Sequence, residues 1–167
     1  MGIDGNLYNA VLVAHILCAI AGFGAVLLNG VYAAETRKRP GPEGLAVFEA
    51  NYRVSMIGEY FIYAVAVLGF ALVGLSDKAW TFGQTWVWLS IVLYAAAIGV
   101  SHGVLLPRVR KMGTLMREMV AAGPPAGGPP PQAAEMERLG KQVGAASAFL
   151  HLSLVVILVL MVFKPGG

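Results

Sequence analysis

Three histidines, one glutamate and one methionine draw notice because each falls inside a long apolar stretch. They are His15, His102, His151, Glu59 and Met56. Ionisable groups at membrane depth are costly in hydrocarbon; they face a bundle interior or cavity and mark relays, ion paths or ligands. Two imidazoles from facing helices can ligate a haem iron from both sides, with the protein setting its potential. A carboxylate beside an imidazole can instead pass a proton. A lone intramembrane histidine also serves simply as a hydrogen bond between helices.

Helical spacing groups these residues into faces. His15, Cys18, Gly22, Ala25 and Asn29 share one face, all polar or small, opposite Leu12, Ile16, Phe23 and Val26. Small residues there let a neighbouring helix, or a flat cofactor, come close. Tyr52, Met56, Glu59, Tyr63 and Ala66 share a second face. Ala95, Ile98, Gly99 and His102 form a third, and Gly144, Ser147 and His151 a fourth. From the ends of the stretches, His15 lies ~12 Å and His151 roughly 20 Å below one membrane boundary, with His102 near the other. His15 and His102 are thus too far apart to share a metal. His15 with His151 is the expected pair of haem ligands, with His102 as substitute. At the depth of His102, a His102–Glu59 hydrogen bond or a His102–Met56 ligand pair is allowed. Glu59, Tyr63 and Asn29 form the expected polar network.

The elements that carry these groups are four apolar stretches, at about 7–34, 54–75, 85–106 and 143–163. Each has the ~20 residues that a helix needs to cross a ~30 Å hydrocarbon core. Of the 167 residues, 57% are hydrophobic and 13% charged, about half the charge of a soluble domain. The chain is therefore expected to be an all-α membrane protein, one four-transmembrane-helix bundle over residues 1–167. The first stretch reads as a span and not a signal peptide, because no positive segment precedes it and its apolar run is too long. The one cysteine, Cys18, excludes a disulfide within the chain and any CxxC metal site.

Charge sets the expected orientation. Arg37, Lys38, Arg39, Arg53, Arg108, Arg110, Lys111, Arg117, Arg138 and Lys141 fall in the two long loops, against Lys78 and Lys164 on the opposite side. The excess of Lys and Arg places those loops in the cytoplasm and both termini outside, with Trp80, Trp86 and Trp88 at the outer aromatic belt. The net charge of +3 is thus a matter of topology and gives no reason to expect nucleic acid. Partners are the lipid bilayer and other membrane subunits or further copies of the chain. Helix is expected from about Glu43 into the second span, from Pro107 to before Gly123, and again from near Ala133. Between them, residues 123–131 are almost all Pro, Gly and Ala and read as a linker. No Walker loop, GxGxxG or HExxH occurs.

Short motifs in all but the second span carry a resemblance. Leu12-Val13-Ala14-His15 followed by Gly22, and Trp86 through Gly99 to His102 ending Leu106-Pro107-Arg108, resemble helices of small bacterial membrane proteins. These are the proteins related to HemJ-type protoporphyrinogen oxidase and to CopD copper-resistance proteins. The end, Leu160-Met161-Val162-Phe163-Lys164-Pro165, is similar to that of a predicted integral membrane family of unknown function in the same group. The resemblance implies a four-helix bundle in the bacterial inner membrane with a haem b site at His15. It does not extend to the oxidase reaction, because Ser90 stands where the third-helix lysine is expected and the Asn-Glu-x-Pro element is lacking. The leading expectation is a haem-b protein in electron transfer or a small subunit of a redox complex. The alternatives are a cofactor-free accessory subunit, and a small transporter or proton relay using Glu59 and His102.

Overall fold

The computed structural model describes residues 2–123, 127–128 and 132–166. The regular elements among those residues are all helices, with no strand among them. Helix α1 spans Asn6–Lys38, α2 Gly41–Leu75, α3 Thr85–Val100, α4 Leu106–Ala122 and α5 Ala133–Phe163. A π-helical turn, Ser101–Leu105, joins α3 to α4. Counting α3–α4 as one, four helices are long and apolar enough to cross a membrane. At 1.5 Å per residue, α1 is about 50 Å long and α3–α4 about 57 Å, so each outruns the ~30 Å core. Arg37, Lys38, Arg39, Arg108, Arg110, Lys111, Arg117, Arg138 and Lys141 lie toward the end that carries the α1–α2 turn, here called the basic end. The expected linker 123–131 lies mostly outside the described residues.

Helix α1 reverses into α2 within a few residues. Lys38 ends the helix, Arg39 and Pro40 are extended, and Gly41 takes φ +60°, a value open to glycine at little cost. The antiparallel pair then packs along the small-residue face of α1. A Cβ on Gly58 would stand 2.7 Å from Ala25 Cβ, and one on Gly22 would stand 2.9 Å from Ile62 Cγ1. The stripe of small residues is therefore filled by a helix and leaves no slot there for a flat cofactor.

Helices α3 and α5 make the second pair, with Trp86, Val87 and Leu160 as its buried centre. Ser90 is buried in this helix, its hydroxyl donating to the Trp86 carbonyl at 2.6 Å. The two pairs are closed at the far end by aromatic contacts. Trp80 Nε1 donates to Tyr8 Oη at 2.9 Å, Trp80 meets Trp86 edge-on, and Lys164 Nζ sits 4.1 Å above the Trp80 ring. At the basic end α4 joins the pairs. Arg117 bonds Glu49 at 2.8 Å and Arg110 bonds Tyr52 at 3.2 Å on α2. Lys111 bonds Glu135 and Arg108 bonds Gln142, both at 2.6 Å, on α5. Between these clamps the α2 and α3 backbones stand apart and α1 touches α5 only lightly, which leaves a gap inside the bundle.

Candidate functional site

The π-helical turn has a local cause. Pro107 lacks an N–H and its ring clashes with the carbonyl four residues back, so the α ladder cannot continue through it. The helix widens instead, and the Leu106 N–H bonds the Ser101 carbonyl, five residues back. The extra residue turns the following side chains relative to a regular helix, and π turns of this kind recur at functional sites. Here the widened turn carries His102.

His102 meets α2 at a carboxylate and a phenol. Its Nε2 lies 2.9 Å from Glu59 Oε1 and 2.6 Å from Tyr63 Oη. Tyr63 Oη donates to the same Glu59 oxygen at 2.5 Å. Glu59 and Tyr63 reach one point because four residues bring them to the same face of α2. The Tyr63 and His102 rings also stack, centroids 6.2 Å apart. One more polar bridge spans the same seam, Tyr94 Oη donating to the Ile62 carbonyl at 3.1 Å. The chemistry open to such a triad is proton exchange. With Glu59 protonated, it donates to the Tyr63 oxygen while Tyr63 donates to Nε2. A concerted shift leaves Glu59 ionised and His102 carrying the proton, with Tyr63 unchanged.

Glu59 also faces the gap within the bundle, a cavity of about 920 Å³ that reaches from Ile157 to the basic end. Most of its wall is apolar, with a few polar groups at the depth of Asn29, Ser55, Ser147 and His151. Asn29 is not joined to the triad; its Oδ1 accepts from Ser55 Oγ at 2.9 Å across the α1–α2 seam. Met56 lines the cavity with Met112 and Met116, as a soft, adaptable wall.

The structure does not bring His15 and His151 together. His15 lies against Gly69, where an added Cβ would be 3.4 Å from its Cε1, and its Nδ1 is buried without a hydrogen-bond partner. His151 Nε2 lies 3.2 Å from the Val26 carbonyl oxygen. Eleven residues of α1 separate the two contacts, about 16 Å along the axis. That distance is far more than one iron can bridge, and the α2 backbone occupies the space beside His15. The expected pair of haem ligands is therefore replaced by two separate helix contacts, and His102 is held by α2. These residues do not fit a haem between them. Among the described residues, no three His, Cys, Asp or Glu side chains gather into a metal site.

Sequence reasoning placed Glu59 at the depth of His102 and Tyr63 on the Glu59 face, but did not mark Asn51, Ser55 and Arg37 as site residues, although they line the cavity. The signal for two of them was there, since residues 51, 55, 59 and 63 recur at the four-residue spacing of one face. No curated protein and no solved structure matches the chain. Residues 9–165 match the family described as predicted integral membrane protein (DUF2269), and the chain belongs to that family.

Proposed function

We propose that this protein exchanges protons within a bacterial plasma membrane, as a small proton relay or proton-linked transporter. The observation that carries the reading is the convergence of Glu59, Tyr63 and His102 within 2.5–2.9 Å, where α2 meets the π-helical turn. A carboxylate there is costly unless a partner shares its proton or charge, and this one has two. Glu59 also faces the cavity, so it is the member placed to take or release the proton. The Lys/Arg excess at the basic end supports a cytoplasmic position for both long loops. Proteoliposomes loaded with a pH-sensitive dye test the reading. A pH step should drive proton flux that Glu59→Gln abolishes, and flux at the native level in that variant refutes it.

A second reading, that of a cofactor-free subunit of a membrane assembly, has its own observation. Ala95, Ala96, Gly99 and Gly103 are exposed beside His102, a small-residue surface of the kind that helices pack upon in membranes. Chemical cross-linking in native membranes tests it: a stable product larger than the monomer supports it, and monomer alone removes it.

A further inference from the structure

The cavity has a chemistry that proton exchange does not use. Its deep part is walled by Phe23, Ile62, Leu150, Leu154 and Ile157, and its basic end by Arg37, Arg39 and Lys141. Arg39 and Lys141 each already pair with a carboxylate, on Glu35 and Glu137 respectively. Arg37 has no side-chain partner among the described residues. One turn deeper, the Asn51 amide oxygen is buried in the wall and accepts no hydrogen bond. A buried acceptor left unpaired costs stability until a donor reaches it.

Length agrees with charge. From Phe23 to Arg37 along α1 is 14 residues, about 21 Å. Half of a ~30 Å hydrocarbon core plus one headgroup layer comes to about the same length. We infer that this cavity holds one acyl lipid with an anionic, hydroxyl-bearing headgroup. The phosphate lies by Arg37, a headgroup hydroxyl donates to Asn51, and a chain lies along Phe23 and Leu154. The methionine wall adapts to the irregular surface of such a molecule. Glu59 lines the same cavity, but the headgroup contacts are made by Arg37 and Asn51, outside the Glu59–Tyr63–His102 triad.

The purified full-length protein, titrated with phosphatidylglycerol or phosphatidylcholine and read by native mass spectrometry, tests it. One phosphatidylglycerol should bind in preference to phosphatidylcholine. Arg37→Ala should weaken that binding about fivefold, the effect of one basic residue near an anionic headgroup. Gly144→Leu should abolish it, because Gly144 lines the cavity, a Cβ there meets open space, and the added side chain would take room the acyl chain needs. Gly140→Leu does the same from one turn away and serves if the first variant folds poorly. Arg110→Ala removes a basic residue that bonds Tyr52 and does not line the cavity, so it should leave binding unchanged. Equal binding of the two lipids, binding that survives both leucine variants, or stoichiometric haem in place of lipid overturns the inference.

Discussion

Replacing Tyr63 by Phe removes one oxygen and nothing else, so its effect can be worked from the triad. The hydroxyl gives a 2.5 Å bond to Glu59 and a 2.6 Å contact to His102, both of which disappear. Neither partner is stranded, because Glu59 Oε1 and His102 Nε2 stay 2.9 Å apart. The phenyl ring still stacks on the imidazole. A side-chain hydrogen bond between membrane helices averages ~0.6 kcal/mol and an i,i+4 pair within one helix contributes ~0.2–0.5 kcal/mol, so the contact to His102 and the bond to Glu59 together contribute about 1 kcal/mol. Unfolding in mixed micelles should register that loss. Proton flux should fall about fivefold, if that energy is lost from the transfer barrier, and should persist through the direct Glu59–His102 contact. Glu59→Gln, by contrast, removes the proton carrier and should leave no flux. If Tyr63→Phe is as inactive as Glu59→Gln, the direct contact does not conduct and the two-route reasoning fails. If it alters neither stability nor flux, the phenol is idle.

Three further outcomes follow from particular contacts. Gly58→Leu should destabilise the protein by about 1–3 kcal/mol, the usual cost of overpacking, because its Cβ would meet Ala25 Cβ at 2.7 Å; Gly24→Leu, with nothing within 4 Å, should melt like the parent. Arg138 and Lys111 beside Glu135 hold its carboxyl down to about 2, from 4.5. A carboxyl lowered in the folded state stabilises it above its unfolded value, so the α4–α5 contact should be fully present above pH 4.5 and lost as pH falls through about 2. A fluorophore on Thr114 reports that opening, and Lys111→Ala should move it to higher pH; an unshifted midpoint refutes the pairing. Protein purified from haem-replete cells should show no stoichiometric Soret band, and a bis-histidine spectrum would refute the separation of His15 from His151.

Much of the architecture was legible because lipid imposes a severe rule. Backbone groups in hydrocarbon must be satisfied within the chain, so four long apolar stretches could become only helices. The extent of α4 was legible too, since Pro107 and Gly123 mark its ends. Spacing of four residues and equal depth were enough to suggest that Glu59 could meet His102. The sequence did not decide what the small stripe of α1 packs against. Gly22 and Ala25 suit a cofactor or a helix equally well, and only assembly of the bundle put Gly58 and Ile62 there.

By itself, then, the sequence determined that the chain is a helical membrane protein with four long apolar helices, and that its basic residues gather at one end. These properties follow from local hydrophobicity and from connectivity, which need no knowledge of neighbours. Only the tertiary structure decided which polar groups share a site. Pro107 forces a π turn that aims His102 at α2, and α1 packs so closely on α2 that His15 is enclosed against Gly69. His151, expected at an iron, instead reaches the Val26 carbonyl. Rotation and crossing of helices set those meetings, and they arise from packing summed over whole faces, which a one-dimensional pattern of residues does not contain.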